Sequence, residues 1–212
     1  MRMPVSKTET GRRERKKQQT RDHISAVARA LFAERGFEGV TVSEIAREAD
    51  VAEQTVYNHF PTKEDLVYAG LESFEERLLE AIRDRPEGES VPAAFGHWLG
   101  GQRGLLAEEP LSEHLVGISR MIEQSPALLA REQQIFARYV DSMARVIAAD
   151  AGAAEGDIRP WVEANALIGI HRALISFTRG RIVAGASNPD LSREVRAQLE
   201  GALAALEAGF TA

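Results

Sequence analysis

Thr41 to Phe60, TVSEIAREADVAEQTVYNHF, is the stretch whose reading decides the fold. Thr41 with Glu44 three residues later is a capping box, and Val40 with Ile45 can close a hydrophobic staple around it. Val42, Ile45, Ala46 and Ala49 then recur at helical spacing. Asp50 stands where the chain must turn, and Asp tolerates the left-handed conformation better than most residues. A second short helix is expected from about Ala52 to His59, with Val51 and Val56 inward and Glu53, Gln54, Thr55, Asn58 and His59 outward. Two short helices joined this way, the second with a polar outer face, form a helix-turn-helix suited to a DNA major groove.

Outward from this stretch the pattern stays helical. Ile24, Val27, Ala28, Leu31 and Phe32 make an apolar stripe that predicts a first helix beginning between Arg13 and Lys17, ending at Arg35 and stopped by Gly36. Thr62, with Asp65 at the third position, starts a predicted helix of about six turns carrying Leu66, Val67, Leu71, Phe74, Leu78, Leu79 and Ile82. Residues 84–92, DRPEGESVP, read as a loop. Five further helices are expected over Ala93–Leu106, Leu111–Glu123, Ala127–Ala149, Asp157–Ala184 and Leu191–Gly209. Their boundaries are the Glu-Pro at 109–110, the Ser-Pro at 125–126, AGAAEGD and SNPDLS. No period-two strand pattern or internal repeat appears. The expectation is an all-α chain of nine helices, three in a helix-turn-helix head over residues 13–63 and six in a body over residues 64–212.

The charge is unevenly placed. The 212-residue chain carries a formal −6, yet residues 1–21 hold eight Lys/Arg against two Glu, which is +6 and leaves −12 for the rest. A basic end on an acidic body suits local phosphate contact, whereas the alternative for Arg2 to Arg12 is a solvated tail. With no cysteine there is neither a disulfide framework nor a thiolate metal site. No apolar run follows Met1 as in a signal peptide, and Ala164–Phe177 is too short to span a bilayer. A cytoplasmic protein with no membrane partner is expected.

Within the motif, Gln54 can bond adenine bidentately and the Thr55 methyl can meet a thymine methyl. Glu53 can accept from cytosine N4 or serve only the helix dipole. Tyr57, His59, Lys63 and Thr41 suit phosphate contact, Asn58 shares the outer face, and Arg15, Lys16, Lys17 and Arg21 can lie along the backbone. In the body, Ala166, Gly169, Ile170 and Ala173, with Leu199, Leu203 and Leu206 on the last helix, are candidate dimer-interface residues, because the helix from Asp157 is apolar on more than one face. Phe74, Trp98, Met121, Phe136, Met143, Trp161 and Phe177 are chiefly core, and some can line a cavity between helices. His171 with Arg172 reads as a satisfied core or interface pair, or as the polar anchor of such a cavity. His97, His114 and His171 sit on three separate predicted helices without metal-ligand spacing, so no metal and no cofactor are expected. The absence of GxSxG, P-loop and strand-borne GxGxxG motifs argues against an enzyme.

The ordered run ALFAERGFEGVTVSEIAREADV (30–51), TVYNHF (55–60) and TKEDL (62–66) resembles the DNA-binding motif of TetR-family transcriptional regulators. It departs at Asp50, often Gly in the family, and at Ala52, often a capping Ser. The resemblance implies phosphate contact by Tyr57 and Lys63 and dimerisation through the last two long helices as a four-helix bundle. It thus implies a homodimeric repressor on a near-palindromic double-stranded DNA operator, released by a small lipophilic or acyl-CoA-like effector. Arg120–Gln133, RMIEQSPALLAREQ, more loosely resembles family members that bind acyl-CoA-like ligands, such as the mycofactocin-system regulator. The alternative is a DNA-binding regulator without a small-molecule effector, controlled by a protein partner or acting architecturally.

Overall fold

The computed structural model describes residues 7–102, 113–186 and 188–210. Every regular element among them is a helix. They are α1 (Lys7–Arg35), α2 (Val42–Glu48), α3 (Glu53–His59), α4 (Lys63–Val67) and α5 (Leu71–Arg83), followed by α6 (Val91–Gly101), α7 (Glu113–Gln124), α8 (Pro126–Ala151), α9 (Arg159–Val183) and α10 (Asn188–Phe210). The chain divides into two compact units between Ala69 and Gly70.

Among the described residues ten helices stand where nine are predicted. The six-turn helix expected after Thr62 is broken in two, because Gly70 takes φ +99° and caps α5 from the left-handed region. α4 therefore closes the head as a fourth helix, and the body keeps six. α1 starts at Lys7, ahead of the predicted Arg13–Lys17; Thr8, Thr10 and Gly11 are weak helix formers, and the extra turn propagates from the helix-forming run over residues 12–19. α6 ends at Gly101 with Gln102 as its C-cap, short of Leu106. Residues 103–106, the Glu-Pro boundary at 109–110, the start of the helix expected from Leu111, and Ser187 of SNPDLS lie outside the described residues.

The head is built on the expected signals. Thr41 Oγ1 accepts from the Glu44 amide at 3.2 Å while a Glu44 carboxylate oxygen accepts from the Thr41 amide at 2.8 Å. Val40 and Ile45 are fully buried, as a staple requires. Arg35 donates to the Gly39 carbonyl at 2.6 Å and to Glu44 at 2.7 Å, tying the end of α1 to the start of α2. The Arg35 guanidinium and the Thr41 amide and hydroxyl together hold the Glu44 carboxyl down at about 2. Gly39 has little freedom, since a Cβ there would stand 2.5 Å from the Arg35 carbonyl oxygen. Ile24, Ala28, Phe32, Phe37, Val56 and Leu66 fill the space between these helices.

The body core is laid down mainly by α8 and α9, through Leu128, Ile135, Tyr139 and Met143 on one and Ala164, Leu167 and Ile168 on the other. Arg179 and Glu132, both largely buried, clamp the pair with contacts of 2.5 and 3.3 Å. Arg85 closes the loop after α5 onto Ile82 and Glu89 and pairs with Asp150. α10 packs on α6 at close range, and a Cβ at Gly96 would collide with Leu203.

Candidate nucleic-acid interface and body site

α3, the second helix of the helix-turn-helix, is seven residues long, and Val56 and the following Phe60 pin it to the head core. Asp50 makes the turn at φ +51°, the left-handed position its short side chain accepts. Glu53, Gln54, Tyr57 and Asn58 are exposed, whereas Thr55 and His59 are half-buried. Gln54 Nε2 donates to Asn58 Oδ1 at 3.2 Å, so two of the outward amides are joined before any ligand arrives. Ala52 is the N-cap and offers no side-chain acceptor, leaving the backbone bond from Thr55 to its carbonyl. The opposite end is held differently. Arg21 of α1 donates to the His59 carbonyl at 2.6 Å and lies over the Phe60 ring at 4.4 Å. His59 Nδ1 is buried without a partner among the described residues, and burial followed by the nearby charges of Arg21 and Lys17 lowers its pKa.

Arg15, Lys16 and Lys17 are exposed along α1, and Lys17 approaches Glu14 at 4.0 Å. Thr41 is exposed while capping α2, and Lys63 lies over the Phe37 ring at 4.1 Å. The sequence marks Arg21 and Lys63 as candidate phosphate ligands. In the head both also carry intramolecular work, which residue type and spacing do not reveal.

In the body, α5, α6, α8 and α9 bring Phe74, Trp98, Phe136 and His171 together with Tyr139. His171 stacks on Phe74 with ring centres 5.0 Å apart and presents an edge contact to Phe136 at 5.6 Å. Tyr139 is absent from the residues picked out by sequence, although its position three after Phe136 puts both on one helix face. Its hydroxyl donates to the Leu71 carbonyl at 2.6 Å. Met143 is core, Met121 and Phe177 are half-buried, and Arg172 is exposed over Phe136 at 5.7 Å. Trp161 stands apart from these rings, 53% exposed beside Ile158 and Val162.

The candidate interface residues separate by helix. On α9, Gly169 and Ala173 are exposed and Ala166 and Ile170 half-buried; Gly169 and Ala173 line an open groove of about 450 Å³ with Phe136 and Arg172. On α10, Leu199 is buried and Leu203 and Leu206 are half-buried, and the first two face Gly100 and Gly96 of the same chain. His97 pairs with Glu89 at 2.6 Å, and the side chain of His114 lies outside the described residues. Among the described residues no three His, Cys, Asp or Glu converge as metal ligands, and no helix is long and apolar enough to cross a membrane.

Residues 24–69 match the family model for bacterial regulatory proteins of the tetR family. The chain is 32% identical over 155 residues to the HTH-type transcriptional regulator TcmR of Streptomyces glaucescens, covering 71% of this chain and 69% of TcmR. It is 26% identical over 163 residues to the mycofactocin biosynthesis transcriptional regulator MftR of Mycobacterium tuberculosis, covering 74% and 78% of the two chains. An alignment of that length extends past the head into the body. In fold it is similar to NalD of Pseudomonas aeruginosa, the secondary repressor of the MexAB-OprM multidrug efflux pump, with a TM-score of 0.55 at 22% identity over 87% of this chain and 96% of NalD.

Proposed function

The chain belongs to the tetR family of bacterial regulatory proteins, and from that premise we propose that it is a homodimeric transcriptional repressor of a near-palindromic operator, released by a small lipophilic or acyl-CoA-like effector bound in the body. The observation that carries the DNA-binding part is α3, whose apolar side is sealed by Val56 while Glu53, Gln54, Tyr57 and Asn58 are exposed on the other. That face carries base-reading amides beside a phosphate-reaching phenol. Exposed Arg15, Lys16 and Lys17 add sequence-independent attraction to the phosphates. Dimerisation is supported by the outer face of α9, where Gly169 and Ala173 stay exposed, and by α10, where Gly201 has nothing within 4 Å of a Cβ position. Small residues of this kind let a partner helix approach closely, in line with pairing of α9 and α10 across a two-fold axis.

Selection of bound sequences from random duplex DNA tests this function. The expected product is an inverted repeat with half-site centres separated by about 34–36 Å or a multiple of it. Enrichment of a single unrepeated site, by a protein that sediments as a monomer at micromolar concentration, would refute the dimeric operator model.

A further inference from the structure

Adenine and guanine offer a major-groove reader the same N7 acceptor and differ beside it, where adenine has an N6–H donor and guanine an O6 acceptor. A side-chain amide tells them apart only when its oxygen and nitrogen are held the right way round. For an exposed glutamine that means giving up rotamer freedom on binding. Gln54 and Asn58 are four residues apart on α3 and both exposed, on the side opposite the buried Val56. Gln54 Nε2 donates to Asn58 Oδ1 at 3.2 Å. The bond uses one of the two N–H groups of the Gln54 amide and leaves the other N–H and Oε1 for a ligand, one donor and one acceptor. An adenine edge, with N7 accepting and N6–H donating, matches this remainder. A guanine edge sets O6 against Oε1, and cytosine or thymine engages only one of the two groups.

We propose that Asn58 is a positioning residue: it holds Gln54 in the orientation that reads adenine at one position of each operator half-site and does not choose the base there itself. The proposal rests on the operator binding proposed above. Asn58 suits the role because its Oδ1 is an acceptor at helical i+4 spacing, where an amide pair is modestly stabilising before DNA arrives. Part of the ordering of Gln54 is then complete in the free protein, and binding has less left to do. The direction of the bond matters, since with Asn58 as donor Oε1 would be the engaged atom instead.

The test uses the full chain and duplexes carrying the selected operator, altered at one base pair in both half-sites, with binding followed by fluorescence anisotropy. Gln54→Ala identifies the position: the preference for adenine there, about tenfold per half-site, should vanish. Asn58→Ala should lower the preference at that same position by about twofold per half-site, or about fourfold over the operator. Asn58→Asp keeps the acceptor and removes the donors, so the adenine preference should stay at the wild-type ratio while the added negative charge lowers affinity for all sequences alike. A direct phosphate contact by Asn58 would instead leave the ratios untouched in Asn58→Ala. In the free wild-type protein, ¹⁵N relaxation should show the Gln54 side-chain amide more restricted than that of the exposed Gln19, a readout that needs no variant. Wild-type ratios in Asn58→Ala, a ratio in Asn58→Asp as low as in Asn58→Ala, a base other than adenine at the Gln54 position, or a Gln54 amide as mobile as that of Gln19 each overturn the proposal. A selected inverted repeat with no position that answers to Gln54→Ala upholds the operator reading and overturns the pairing role; failure to select any repeat overturns both.

Discussion

Acidification should weaken this fold through the histidines that burial keeps from protonating, His59 in the head and, with the larger effect, His171 in the body. An imidazole in the unfolded chain takes up a proton near its ordinary value of 6.5, whereas burial delays protonation in the folded body to about 4. Between these values the unfolded state binds more protons, so stability is full above about pH 6.5, falls as pH drops, and levels off below about 4. The separation is about 2.5 units at ~1.36 kcal/mol per unit, which amounts to ~3 kcal/mol over the whole window and ~2 kcal/mol by pH 5. Glu44 and Asp157 work lower down. Their carboxyls are held at about 2, so what they contribute is present above the ordinary carboxylate range and is lost only as pH falls toward 2. Urea unfolding followed by circular dichroism at pH 7, 6 and 5, at one fixed protein concentration, isolates His171 when wild type is compared with His171→Phe. The variant lacks both the titrating group and its buried Nδ1, which has no hydrogen-bond partner among the described residues and whose burial costs about 1–3 kcal/mol, so it should match or exceed wild-type stability at pH 7 and lead by a further ~2 kcal/mol at pH 5. A difference between the two proteins that is the same at both pH values refutes the reasoning.

Two further changes probe the head. Gly39→Ala places a methyl against the Arg35 carbonyl, and relief of that clash must disturb the Arg35 bonds to Gly39 and Glu44; a loss of about 1–3 kcal/mol is expected in thermal unfolding, and an unchanged midpoint would count against it. Ala52→Ser supplies the missing cap of α3 and should add ~1 kcal/mol locally, seen as stronger amide-exchange protection over Glu53–Asn58 with the body helices unaltered; unaltered exchange at those amides would mean that the helix start is already held by another group.

Much of this architecture is legible in the sequence because its signals are local. Thr41 with Glu44, Thr62 with Asp65 and Gly36 after α1 fix helix ends within a few residues, and each operates in the structure as its chemistry dictates. Gly70 misleads, because Val67, Leu71, Phe74 and Leu78 keep helical spacing straight across a position where the backbone breaks. The polar face of α3 can be counted off the sequence, but the attachment of Arg21 to His59 and Phe60 spans 38 residues and leaves no periodic trace. The same limit applies in the body. Residue type marks Phe74, Trp98 and Phe136 as chiefly core and leaves His171 open between a core or interface pair and a cavity anchor; their meeting depends on the packing of four helices, and so does the capture of Leu199 and Leu203 by α6.

The unequal ends of α3 make it a lever. Its pivot is the His59 end, gripped by Arg21, and its free tip carries Glu53 and Gln54. Six rises of about 1.5 Å separate the two, giving an arm of roughly 9 Å. A tilt of only ~10° about the gripped end therefore carries the tip through roughly 1.6 Å and leaves the pivot almost still. That arc exceeds the ~0.5 Å within which a recognition group must be held to do its work. Under the proposed function, the sharpness with which bases are told apart is governed by the angular stiffness of α3, set at the end away from Glu53 and Gln54.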